Sequence, residues 1–218
     1  LIMNLIVISG TSSGLGKKLS LFFLMEGYSV LGISRKKPNF LKFKNYHHIN
    51  CDISKFKELD NKIKLWSKKK KFNKINFILS ASILGPNGGI IKTKLSNWVE
   101  VFKVNLLGNL QIIKSFLVIL KRKRNVNFFF LAGGGSANAR PEFSSYSVAK
   151  TAVVREVENL QIEFRNFKNF NFFAVAPGAI KTPMLSKVIK SGEKIKKITP
   201  IEKSFEFFLF MIKNVNRN

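Results

Sequence analysis

Apolar positions follow two alternating rhythms along the chain. Six short runs are almost continuously apolar: "NLIVISG" from Asn4, "YSVLGIS" from Tyr28, "YHHIN" from Tyr46, "INFILSAS" from Ile75, "VNFFFLA" from Val126 and "FNFFAVAPG" from Phe170. Branched and aromatic residues dominate them, which predicts strands buried on both faces. Between them the apolar residues recur at helical spacing. The predicted helices are Gly14 to Met25, with Leu15, Leu19, Phe22 and Phe23 on one face, then Ser54 to Lys71 with Ser54 as N-cap, Leu95 to Leu120 and Ser145 to Phe167. Alternating strands and helices imply a parallel sheet with right-handed crossovers and helices on both faces. The expected architecture is α/β, a doubly wound parallel sheet, as one domain over residues 1–218 with no repeats and no linker. The phenylalanines of the strands are core and receive no functional role.

The turn after the first strand carries the first candidate chemistry. "ISGTSSGLGKK" places Gly10, Gly14 and Gly16 between a strand and a helix. Glycines there let the backbone bend sharply and approach a ligand, and the helix N-terminus offers free N–H groups to a phosphate. The dinucleotide-binding pattern favouring NAD sets an acidic residue about 20 residues further on. This chain has Ser34-Arg35-Lys36-Lys37 instead. Arg35 suits a 2′-phosphate, so NADP(H) is the preferred cofactor and NAD(H) the lesser one.

A second constellation lies near residue 146. Tyr146 and Lys150 are four apart at the start of a predicted helix, on one face. A free phenol has a pKa of about 10, and a nearby ammonium lowers it. Such a pair can protonate a carbonyl oxygen as hydride arrives.

Together these motifs resemble the short-chain dehydrogenase/reductase family. "SGTSSGLG", covering Gly10, Thr11, Ser12, Ser13, Gly14, Leu15 and Gly16, is similar to its cofactor motif, with Ser9 for the usual Thr. "CDI" resembles its adenine-contacting element, which implies roles for Asp52 and Ile53. Asn105 matches the helix asparagine that holds a relay water, and "YSVAK" matches the Tyr-x3-Lys pair. "APGAIKT" implies that Pro177, Gly178, Ile180 and Thr182 flank the nicotinamide. The resemblance spans residues 7 to about 185. It implies a hydride-transfer enzyme acting on a small carbonyl compound or secondary alcohol. It also implies a homodimer or homotetramer built on the two long helices.

Three departures stand out. The fourth strand ends in Leu79-Ser80-Ala81-Ser82 where the family has N-N-A-G, leaving Ser80 and Ala81 as cofactor contacts. The family's catalytic serine lies about 13 positions before the tyrosine, where this chain has Gly133. Ser136 is the nearest hydroxyl that could substitute, and backbone N–H groups of the glycine turn are the alternative donors. Losing one such donor costs about 10²–10³ in rate, which slows an enzyme without abolishing it. A catalytically weak NAD(P)-binding protein with a sensor or assembly role is the alternative reading. Finally, the pattern holds no seventh strand, so one sheet edge is expected open or the sequence truncated, and the opening Leu makes Met3 the start or the chain a fragment. The basic stretch from Lys181 to Pro200 falls where the family keeps its substrate lid, which hints at an anionic substrate.

Composition narrows the picture further. The net charge is +26, yet 31 lysines stand against seven arginines. Abundant Lys, Asn, Ile and Phe reflect AT-rich coding, and base or phosphate recognition favours arginine. The runs Lys68–Lys71 and Lys121–Arg124 fall at predicted helix ends, where positive charge suits the dipole. Nucleic acid is therefore set aside as a partner. Cys51 is the single cysteine, so it forms no internal disulfide, and this suits the cytoplasm. No apolar run reaches membrane-spanning length. "FEFFLFMI" is too short and carries Glu206. His47 and His48 have no carboxylate or cysteine cluster beside them, and no metal is assigned.

Overall fold

A computed structural model describes residues 3–40, 42–68, 72–120 and 125–215. Six parallel strands lie in the order β3-β2-β1-β4-β5-β6. They are β1 (Met3–Ser9), β2 (Ser29–Ser34), β3 (Tyr46–Asn50), β4 (Phe72–Leu79), β5 (Val126–Leu131) and β6 (Phe170–Val175). Each coincides with an expected strand to within about three residues, because continuous apolar runs of this length are stable only inside a covered sheet.

Alternation along the strands sends side chains to two cores. On one face Leu5, Val7, Phe77 and Phe128 pack against α2 (Phe56–Ser67), α4 (Asn109–Leu117) and α5 (Ser144–Glu163). On the other, Ile6, Ile8, Ile78 and Phe129 meet Leu19 and Phe23 of α1 (Gly14–Met25) and Phe208 and Ile212 of α7 (Ile201–Asn214). Phe77, Phe128 and Phe172 stack across three adjacent strands with centroids 4.8 and 4.7 Å apart. Three asparagines also sit in register, Asn76, Asn127 and Asn171. They are linked by amide hydrogen bonds of 2.8 and 3.0 Å, which satisfies polar groups that the sheet buries.

Several helices differ from expectation. Ser54 does not cap α2, because its N–H and hydroxyl both turn back to Asp52 Oδ1, and the helix starts at Phe56. The expected helix from Leu95 is α3 (Leu95–Phe102), then a π-helical stretch over Lys103–Gly108, then α4. Two helices were not foreseen. The segment expected as a loose lid contains α6 (Pro183–Lys190), capped by Thr182 Oγ1 accepting from Leu185 N at 3.2 Å, with Leu185 and Val188 buried. α7 follows it. Among the described residues β6 pairs only with β5, so it forms one sheet edge. Residues 69–71 and 121–124 of the two basic runs lie outside the described residues.

β1 pairs with β2 on one side and β4 on the other. The strand order reverses there, so the loops at the C-terminal ends of β1 and β4 part and open a crevice.

Candidate active site

The crevice is a cleft of about 450 Å³ at the C-terminal ends of the strands. One half belongs to the glycine turn. Gly10, Ser12, Ser13, Gly14, Leu15 and Gly16 line it. Ser13, the N-cap of α1, makes no side-chain capping bond, which leaves the first N–H groups of a 12-residue helix for a ligand. Gly16 is required by close approach: a Cβ there would stand 2.5 Å from Ser80 Oγ and 2.6 Å from Gly10 O. Thr11 is not brought into the cleft. It is fully buried, with its hydroxyl 3.0 Å from Ser34 Oγ and 3.4 Å from Tyr46 Oη, and it ties the turn to β2 and β3.

Further along this half, exposed Arg35 and partly buried Asp52 line the wall with buried Ile53. Burial pushes the Asp52 carboxyl up, but hydrogen bonds from Ser54 and the charges of Arg35 and Lys55 leave it below the usual carboxylate value. Cys51 is buried, and burial pushes its thiol up to about 11, so it behaves as a small hydrophobe.

The altered end of β4 has its own support. Ser9 Oγ accepts from Ala81 N at 2.9 Å and donates to Asn109 Oδ1 at 2.8 Å, while Asn109 Nδ2 donates to Ala81 O at 3.0 Å. Ser80 Oγ donates to Ser9 O at 2.5 Å. Ser9 and Asn109 thus do the strand-stabilising work that the lost asparagines suggested was missing. Asn109 had a signal in the sequence, since it lies one helical turn after Asn105.

Pro177, Gly178, Ile180 and Thr182 form the facing wall. Tyr146 and Lys150 of α5 enter from the remaining side. Lys150 is 3% exposed, and its Nζ donates to Leu131 O at 2.6 Å, 5.6 Å from the Tyr146 ring centroid. Burial lowers its pKa to about 8. Burial raises the Tyr146 pKa above its ordinary value, and the Arg140 charge opposes this only in part. The shift is upward, the opposite of what the pairing with lysine suggested, because burial outweighs the nearby positive charge.

Gly133 is where the absent serine would stand: a Cβ there would be 3.4 Å from Tyr146 Oη. Its φ of 94° and ψ of 171° place it in a region open in practice only to glycine. Ser136 is not a substitute. Its hydroxyl donates to Gly133 O at 2.8 Å, and it does not line the cleft, because the 3-10 turn Gly134–Ser136 folds it back. Asn105 does not line the cleft either. Its amide holds the Ile83 backbone from both sides, Oδ1 accepting at 2.8 Å and Nδ2 donating at 3.0 Å. Sequence reasoning also missed Arg140, Met184, Leu185, Val188 and Ile195 in the wall. The signal of Met184, Leu185 and Val188 lay in helical spacing within the segment read as a lid.

The residues fit a nicotinamide dinucleotide. The glycine turn leaves the first N–H groups of α1 free at the cleft, and Ser82 presents a buried Oγ with no protein partner in the cleft wall. Among the described residues, no three His, Cys, Asp or Glu side chains gather as metal ligands, and no helix is long and apolar enough to cross a membrane.

Known proteins show the same pattern. Residues 4–192 match the family model described as short chain dehydrogenase. The chain is 24% identical over 193 residues to a 3-oxoacyl-(acyl-carrier-protein) reductase of Thermotoga maritima, covering 84% of this chain and 76% of that protein. Its fold is similar to that of ElxO with NADP bound, at a TM-score of 0.81 and 23% identity, covering 100% of this chain and 94% of the other. It is also similar to 4-hydroxyisoleucine dehydrogenase complexed with NADH, at a TM-score of 0.83 and 20% identity, covering 98% and 92%. With the glycine turn, the tyrosine and the lysine meeting in one cleft, the match over most of its length shows that this chain belongs to the short chain dehydrogenase family, oxidoreductases of the CH–OH/C=O couple.

Proposed function

We propose that the chain is an NADP(H)-preferring reductase of small carbonyl compounds, with Tyr146 as the acid. The observation that carries this reading is the convergence of Tyr146 and Lys150 on the cleft that the glycine turn opens. A bound nicotinamide would supply the hydride. Tyr146 Oη would give its proton to the carbonyl oxygen as negative charge develops there. A phenol held above its ordinary pKa is protonated at neutral pH, so it is ready to donate. In the reverse direction its phenolate would take the proton of the alcohol. Lys150, mostly protonated near neutral pH with a pKa of about 8, would place its charge beside the phenolate left behind.

With glycine at 133, the wall facing the phenol is main chain. A backbone N–H of the glycine turn would then serve as the second donor to the carbonyl. Arg35 at the lip, with no carboxylate between Ser34 and Lys37, supports a 2′-phosphate and hence NADP(H). We retain Asn105 as a positioning residue that fixes the Ile83 loop. The segment 181–200, with α6 inside it, would cover the substrate. Exposed Leu95 and Val99 on α3 and Val148 and Ile162 on α5 are the faces on which a homo-oligomer would form.

The test is titration of the purified chain with NADPH and NADH, followed by carbonyl turnover on wild type and Tyr146→Phe. The reading expects tighter NADPH binding, and turnover reduced at least about 100-fold by the variant with binding kept. Binding of NADPH without turnover of any carbonyl compound would instead favour a catalytically silent nucleotide-binding protein, which the missing hydroxyl at 133 suggests.

A further inference from the structure

One charge in the cleft takes no part in this chemistry. Among the described residues two arginines line the cleft, Arg35 at the nucleotide end and Arg140 at the tyrosine end. Arg140 stands between the glycine turn and α5. Its Nη1 lies 2.7 Å from Glu193 Oε1, and the two side chains are 23% and 31% exposed. Its Nη2 lies 3.4 Å from where a Cβ of Gly134 would stand, and Tyr146 Oη lies 3.4 Å from the equivalent point on Gly133. Consecutive Cα atoms are about 3.8 Å apart. The phenol and the guanidinium therefore look onto neighbouring residues of one turn. The surrounding wall is apolar: buried Leu84, Phe143 and Val188, with Met184 and Ile195 packed against them.

Building on the reductase reading, we propose that Arg140 recognises a carboxylate on the substrate, which is a ketone bearing that group a few carbons from the reacting carbonyl. A guanidinium fork matches a carboxylate at two points. Glu193 shows that this fork accepts one. The pair is only partly buried, and a substrate carboxylate would replace Glu193 by exchanging one carboxylate on the fork for another. Glu193 is also the single acid in the segment 181–200, among six lysines, and it pairs with the arginine of the cleft wall.

The rival reading makes the Arg140–Glu193 pair a plain latch on the segment 181–200. The two readings differ in sign. If Glu193 competes with substrate, Glu193→Gln helps carboxylate binding while Arg140→Gln abolishes it. If the pair is only a latch, both variants lose together.

The test uses 2-oxo, 3-oxo, 4-oxo and 5-oxo straight-chain acids, each beside its methyl ester, with NADPH. For at least one spacing, wild type should prefer acid over ester by about 10-fold or more. Arg140→Gln should abolish that preference, lowering the acid-to-ester ratio of kcat/KM about 10-fold or more. Glu193→Gln should lower KM for the acid about two- to threefold. Equal use of acid and ester, or equal losses in the two variants, overturns the proposal. A binding arm separates this from failure of the reductase reading. Hexanoate and methyl hexanoate are titrated by calorimetry into the NADPH-loaded chain, without turnover. Hexanoate binding that Arg140→Gln removes and Glu193→Gln strengthens upholds the carboxylate site even if no ketone is reduced. Absence of hexanoate binding to wild type overturns it even if neutral ketones are.

Discussion

Gly133→Ala is predicted to destabilise the protein by about 1–3 kcal/mol, the usual cost of holding a non-glycine residue in so sparsely populated a conformation. The cause is backbone conformation, because the added Cβ would meet only Tyr146 Oη, at the edge of ordinary contact, 3.4 Å away. φ of 94° with ψ of 171° is the obstacle. In a domain of this size each kcal/mol corresponds to roughly 2–4 °C in Tm, so the variant should melt about 2–12 °C lower. Gly133→Ser should lose as much and gain no turnover. To adopt a conformation with negative φ it would have to rotate the peptide that carries Gly133 O, the acceptor for Ser136 N at 3.1 Å and Ser136 Oγ at 2.8 Å. Thermal and urea unfolding of both variants, with NADPH-dependent turnover alongside, gives the answer. A Gly133→Ser protein with undiminished Tm and turnover raised 10-fold or more would refute the reasoning, showing that the glycine has no conformational duty and that the hydroxyl is simply missing.

Two other perturbations probe the site's frame. Ser9→Ala removes an acceptor for Ala81 N and a donor to Asn109 inside a fully buried network, and should cost about 1–3 kcal/mol in urea unfolding; a loss below about 0.5 kcal/mol would show that the network is dispensable. Lys150 gives a pH signature. Its folded pKa of about 8 lies below the ordinary 10.5, so between those values the unfolded chain holds a proton that the folded chain has shed, and stability rises with pH there. Below pH 8 the full penalty, about 3 kcal/mol, is present, and above 10.5 it is gone. Wild-type stability should therefore climb relative to Lys150→Met between pH 7.5 and about 10, and a constant offset across that range would sink the assignment.

The strands were legible because burial on both faces leaves no polar alternation to confuse, as in "VNFFFL", where every residue is buried. The nucleotide half of the cleft was legible because its constraints act on the backbone. Gly16 must be glycine wherever a helix end comes this close to a strand end, so the requirement is written in residue type. The catalytic half was legible only as far as residue identity. The direction in which a side chain points is a tertiary matter that residue type does not carry: Thr11 turns inward, Ser136 turns back on Gly133, and Lys150 faces Leu131 O. α6 escaped notice because its apolar face is short and set among lysines, although Thr182-Pro183 is a helix start in plain sight.

Lys150 also links assembly to chemistry. Its Nζ bond to Leu131 O joins the first turns of α5 to the end of β5, immediately before the Gly133 turn. Tyr146 lies one helical turn earlier on α5, so the same bond fixes the phenol against the turn it faces. Burying an ammonium with a neutral carbonyl as its partner opposes folding, which is why its pKa falls to about 8. A leucine or methionine at 150 would fill the space without that penalty. A stable fold therefore has no need of lysine at this position, whereas the proposed proton donation by Tyr146, which leaves a phenolate, would use it. The penalty is a physical argument for a working active site, and it stands without reference to the missing serine.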